Sequence, residues 1–158
     1  MLLVVGERVV SQMEYQRVEV GSRVAALVLV FTLTALTGSG SDQLFTVLLL
    51  SLLAVAGALP VHNRTLRRWR PVVEEAAAAA IVASSDPHNP ALLPYLVVPA
   101  LSAGLVGGWT LAVITTGAGA LVLVSRGLIA PGNVVDSEYL VDTSQWVLLA
   151  LAVGLLGA

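Results

Sequence analysis

Four arginines crowd into one short stretch, Arg64, Arg67, Arg68 and Arg70, within Asn-Arg-Thr-Leu-Arg-Arg-Trp-Arg-Pro-Val-Val-Glu-Glu (Asn63–Glu75). Apolar runs flank this stretch on both sides and carry almost no charge. Moving one such cation to a bilayer centre costs at least ~2.5 kcal/mol, so four together stay in water or among headgroups. Short loops of this kind sit on the cytoplasmic side of a membrane. The four arginines are therefore the topology-determining residues, and every other loop takes its side from them.

The flanking composition supports lipid as the solvent. Of 158 residues, 57% are hydrophobic and only 11% charged, with a mean hydropathy of +0.90. Soluble domains carry about 25% charged residues. The formal net charge of −2 gives no electrostatic footprint for a nucleic acid. With no cysteine there is no disulfide frame, thiolate zinc site or thiol nucleophile. All eight basic residues are arginine, and Ala, Val and Gly abound, a composition that fits a high-GC bacterial source.

Hydropathy divides the chain into a cytoplasmic N-terminal segment, 1–23, and a transmembrane helix bundle, 24–158. In the first segment Arg8, Arg17 and Arg23 offset Glu7, Glu14 and Glu19, and Val5, Val9 and Met13 recur at the spacing of a short interfacial helix. A frayed N-terminus is the plainer alternative. Apolar runs then place spans at about 24–40, 44–61, 68–85, 91–107, 109–125 and 146–158. The expected fold is thus an all-α polytopic membrane bundle of about six transmembrane helices.

Three joints in it are legible. Pro99 inside the fourth span removes a backbone hydrogen bond to Tyr95 and predicts a kink. Gly107-Gly108 predicts a tight turn into Trp109. The sixth span is only 13 residues from Trp146 to Ala158, below the ~17 needed to cross, so the helix is expected to be truncated and the chain a fragment. With both ends in the cytoplasm, seven of the eight arginines lie inside and only Arg126 lies outside. The positive-inside rule selects that orientation, in a bacterial inner membrane.

Candidate site residues are few. Glu74 and Glu75 are the carboxylates nearest a span interior, and intramembrane acids mark proton or ligand sites. The plainer reading makes Pro71 the first helical turn, with both acids complementing the helix dipole and Arg70 pairing with Glu74. Tyr95, Ser102, Thr110, Thr115 and Thr116 are the remaining polar groups around the fourth and fifth spans, and with the kink at Pro99 they could line a small cavity. Hydroxyls in membrane helices more often bond back to their own backbone. His62 and His88 fall on opposite sides and share no metal. His88, beside Asp86, suits a solvated loop histidine. No phosphate loop, G-x-S-x-G or zinc-binding His-Glu pair is present, so no catalytic residue, cofactor or metal is expected. The small-residue spacings Gly104–Gly108, Ala112–Thr116–Ala120, Ala54–Ala58 and Ala76–Ala80 allow close backbone approach, within the chain or across a dimer face.

Arg-Pro-Val-Val-Glu (Arg70–Glu74), Leu-Leu-Pro-Tyr-Leu (Leu92–Leu96), Pro99-Ala100-Leu101, Ala103-Gly104-Leu105 and Gly107-Gly108-Trp109 together resemble the N-terminal membrane module of actinobacterial sensor histidine kinases. The likeness covers about a third of the chain, 68–124. It implies the input half of a two-component signal-transduction protein, in which several spans precede a cytoplasmic output domain of the same chain. The partners expected are then the lipid bilayer, a second copy in a homodimer and that output domain. It carries over no catalytic residue. The alternative is a small membrane transporter or a substrate-binding transporter subunit, whose marks are internal repeats, broken helices and midplane polar groups.

Overall fold

A computed structural model describes residues 2–36, 41–59, 61, 63–85, 90–128 and 137–158. Every regular element among them is helical: α1 (Leu2–Leu36), α2 (Ser41–Ala58), α3 (Arg64–Ser84), a 3-10 segment (Pro90–Leu96), α4 (Val97–Leu128) and α5 (Ser137–Leu156). His62, Asp86 and His88 lie outside the described residues.

The all-α expectation holds, with changes at four boundaries. α1 runs unbroken through residue 23, and Glu19 and Arg23, one helical turn apart, pair at 2.8 Å in the turn just before the expected limit. α3 begins at Arg64, where the Asn63 side chain caps the helix by accepting the Thr65 N–H at 3.0 Å. Pro71 is therefore interior and does not open the helix. α5 begins at Ser137 and is 20 residues long, so the shortness read from Trp146 is not a property of the helix. Its first turns are polar, which hid them within the polar stretch before Trp146.

The expected kink at Pro99 is displaced. Residues Pro90–Leu96 wind as a 3-10 helix, and α4 starts at Val97. Pro99 thus falls in the first turn of α4, where a missing N–H leaves no intrahelical bond unmade.

Three stretches are long and apolar enough to cross a membrane, Arg17–Leu36, Ala91–Leu128 and Ser137–Leu156, while Gln43–Ala58 is apolar but shorter. α3 is not among them, since its arginines and glutamates lower its hydropathy. The stretch Ala91–Leu128 is not one rod. Gly108 has φ 67° and ψ −166°, backbone that is essentially restricted to glycine, and the chain turns there. A methyl placed on Gly154 would meet the Ala100 carbonyl oxygen at 2.9 Å and the Ala112 Cβ at 3.2 Å. In a straight helix those two alanines stand roughly 18 Å apart. The proximal arm of α4 (97–107) and its distal arm (109–128) therefore form a hairpin, as the Gly-Gly pair predicts.

Further contacts set the directions. A Cβ on Gly127 would meet Tyr139 and Leu140, while Ala112 faces Gly154, so α5 runs antiparallel to the distal arm. Glu75 lies against Gly119 and Ala83 against Arg126, so α3 and the distal arm run parallel. The core joins Val30 of α1, Leu50 and Ala54 of α2, Ala78 and Val82 of α3, Leu92 and Leu96 of the 3-10 segment, and Leu123. Outside, Leu48, Leu52 and Val55 of α2 and Leu148 and Leu155 of α5 are exposed, an apolar exterior suited to lipid.

Two arginines close helix ends. Arg70 donates from Nη1 to the Leu59 carbonyl at 2.9 Å and from Nη2 to the Ala56 carbonyl at 3.1 Å, at the C-terminus of α2. Arg126 Nε donates to the Ala83 carbonyl at 3.0 Å, at the end of α3. A cation on unpaired C-terminal carbonyls satisfies both hydrogen bonding and the helix dipole. Arg70→Ala is expected to lower unfolding free energy in detergent by about 1 kcal/mol, with Arg70→Lys recovering part of the loss.

Candidate functional site: a buried charge network

The arrangement is built around Arg23. On α1 it shares a face with Val30 and Thr34, and all three are buried. Its guanidinium spans two carboxylates: Nη1 donates to Glu19 Oε1 at 2.8 Å, and Nη2 to Glu74 Oε2 of α3 at 2.7 Å. The other oxygen of Glu74 accepts from the Tyr95 hydroxyl at 3.0 Å. Glu74 is thus held by a cation on one side and a phenol on the other. One network ties together α1, α3 and the 3-10 segment. Arg23 and Glu74 are each only 3% exposed, and Tyr95 not at all.

Charges so far from water persist only when paired and hydrogen-bonded. The sequence provides the room through Gly57 of α2. A Cβ there would lie 2.8 Å from both Glu74 oxygens and 2.9 Å from Arg23 Nε, so the absence of a side chain lets the pair pass under α2.

The dipole reading of the two glutamates does not survive. With α3 starting at Arg64, Glu74 lies about three turns inside the helix, and Arg70 engages α2 carbonyls instead of Glu74. Glu75 points to the other neighbour. A Cβ on Gly119 would meet its Oε1 at 2.5 Å and its Cγ at 2.8 Å, which places the side chain directly on the backbone of the distal arm. Glu75 is 2% exposed, and its Oε2 has no hydrogen-bond partner among the described residues.

Thr115 and Thr116 lie one turn before Gly119 on that same buried face, next to Leu111 and Ala112. The expectation that hydroxyls bond back to their own helix holds for Ser22, Thr32, Ser51, Ser84, Ser125 and Ser144. It does not hold for Thr115 Oγ1 and Thr116 Oγ1, which are buried with no partner among the described residues, as is Ser102 Oγ. Pro99 is also buried, one turn beyond Tyr95, but it contributes no polar group to the network.

Of the four arginines expected from the sequence to set the topology, Arg67 and Arg68 are exposed and Arg70 is half-buried. The Arg64 side chain lies outside the described set. No group of three or more His, Cys, Asp or Glu occurs among the described residues.

Sequence reasoning missed Arg23, Glu19, Gly57 and Gly119. Arg23 carried a signal: it stands seven and eleven residues before Val30 and Thr34, on one helical stripe that points inward. Gly57 and Gly119 carried none, because a glycine's close contact depends on what another helix brings to it. Comparison with family models, curated proteins and solved structures gives no match.

Proposed function

We propose that this chain is the membrane-embedded input bundle of a signal-transduction protein, of the sensor-kinase type that its motifs resemble. It works on a cytoplasmic output domain, with Arg67 and Arg68 on the cytoplasmic side and six passes through the bilayer. The observation that carries the reading is the buried Arg23–Glu74–Tyr95 network. A buried ion pair across three segments is costly to break and has few alternative arrangements, which suits a two-state element.

A contiguous route leads from it to the chain's C-terminal helix. Tyr95 stands at the end of the 3-10 segment and the proximal arm follows directly. Along that arm Ala100, Leu101 and Gly104 touch Gly154, Gly157 and Ala158. A cue that shifts Tyr95 against Glu74 would move the seat of α5. Spatial contiguity is the warrant for this path, and coupling is what an experiment must supply.

The test fuses Met1–Ala158 in frame to a histidine-kinase catalytic core and measures autophosphorylation in proteoliposomes. Tyr95→Phe keeps the ring and removes only the hydroxyl, and it is expected to shift basal output at least threefold while insertion and folding stay normal. Unchanged output from Tyr95→Phe, Arg23→Met and Glu74→Gln, each properly inserted, would rule the reading out. The transporter alternative keeps one observation in its favour: the helix broken at Val97 and Gly108 runs beside a buried carboxyl, as in many secondary transporters. Substrate uptake by proteoliposomes of the isolated bundle would put it first.

A further inference from the structure

Arg23 and Glu74 are buried together at the α1–α3 interface, and Glu75 is buried on the other side of α3, against the distal arm of α4. Arg23 is committed to Glu74 and, through its other nitrogen, to Glu19, whose side chain is 17% exposed and reaches toward water. Glu75 is left with no cation among the described residues. With Glu75 ionised, the buried set of Arg23, Glu74 and Glu75 would be one positive charge short. Tyr95 and Glu74 are the other titratable groups at this level, on the 3-10 segment and on α3 itself. The described part of α2 offers Gly57 here, and the distal arm offers Gly119, neither of which is charged.

Glu75 stands against Gly119 of the distal arm, one turn after Thr115 and Thr116 on the same buried face. Glu75 Oε2, Thr115 Oγ1 and Thr116 Oγ1 are each buried and each without a partner among the described residues. An unsatisfied hydroxyl in an apolar interior costs free energy, and two on one face beside an unpaired carboxylate form a donor set for a hard cation.

We propose that Glu75, Thr115 and Thr116 bind one small monovalent cation, of which sodium is the probe, between α3 and the distal arm of α4. A monovalent ion would balance the single charge of an ionised Glu75. A divalent ion would leave an uncompensated charge of opposite sign in the apolar interior. Sodium bound in this way joins α3 to the distal arm of α4, a contact that the Arg23 network does not itself make. The site stands on the membrane bundle and not on the signal-input reading, because it would serve a transporter equally well.

The test uses the full chain in detergent and in proteoliposomes. Thermal unfolding is followed while sodium chloride is titrated against choline chloride at constant ionic strength and pH. The wild type is expected to gain stability saturably with sodium and not with choline. Glu75→Gln is expected to abolish the saturable response. Thr115→Val and Thr116→Val keep the shape and remove an oxygen, so each is expected to raise the half-saturating sodium concentration by about tenfold or more. A merely structural role makes the opposite forecast for these two, since removing a partnerless buried hydroxyl leaves the folded state unharmed and the sodium response intact. Equal responses to sodium and choline, or an unshifted half-saturation in both threonine variants, overturn the site. Stabilisation by acid alone, without sodium dependence and lost in Glu75→Gln, overturns it in favour of a proton.

Discussion

Arg23→Met is expected to lower the stability of the bundle by roughly 3–5 kcal/mol, among the largest effects of any single substitution outside the core. The substitution leaves Glu74 buried with only the Tyr95 hydroxyl on one of its two oxygens. Glu19 suffers less, because it is half-buried and can turn to water. Glu74→Gln should also destabilise, but by less, since the amide keeps an acceptor for Tyr95 and Arg23 keeps Glu19. The double variant Arg23→Met, Glu74→Gln removes both charges with little change of volume. It is expected to return to within about 1 kcal/mol of the wild type, because replacing a buried pair whole is often neutral where breaking it is not. Unfolding of the four proteins in one detergent gives the coupling energy directly. A double variant as unstable as Arg23→Met would mean that the two side chains are not partners. The same protein separates stability from signalling: folded but without its ion pair, it should lose control of a fused output domain.

That pair was hidden in the sequence for a physical reason. Residues 1–23 hold three arginines against three glutamates and read as a neutral, solvated segment, in which Arg23 faces water. Its burial depends on Glu74, fifty-one residues away, and on a glycine in a third helix. No local pattern encodes such a meeting. The two glutamates were legible as candidates because they stand beside an apolar run. Their environment was not, because it turned on where α3 begins. The cap at Asn63 was available in the sequence, and with it Pro71 becomes an interior residue, which removes the dipole argument.

Elsewhere local chemistry sufficed. A Gly-Gly pair between two uncharged apolar runs encodes a reversal, since only glycine takes the backbone found at Gly108. α5 shows both cases. Tyr139, Thr143, Ala150 and Gly154 are buried and recur at helical spacing, so its full length was present in the pattern. The acidic and hydroxylic residues between them concealed it from a reading by hydropathy, which weighs composition and not facing.

Gly104→Val is expected to cost about 3 kcal/mol, at the upper end for an overpacked site, because the group in its way is backbone. A Cβ at Gly104 would collide with the Gly154 carbonyl oxygen, and Ala158 N lies 3.2 Å from the same position. A side chain can rotate away, whereas a carbonyl in the last turn of α5 moves only if the backbone of that turn does. Gly108→Ala tests the same hairpin by another mechanism. Nothing lies within 4 Å of a methyl at that position, so its cost, about 1–3 kcal/mol, comes wholly from the backbone at φ 67°. Gly117→Ala is the control with the opposite sign. It is exposed on the distal arm, has open space around it and ordinary helical backbone, so alanine should stabilise by up to ~1 kcal/mol. Thermal unfolding of the three variants in one detergent therefore orders them as Gly104→Val least stable, then Gly108→Ala, with Gly117→Ala above the wild type. A neutral Gly104→Val would remove the seat of α5 on the proximal arm, and with it the path from Tyr95 along that arm to the C-terminal helix.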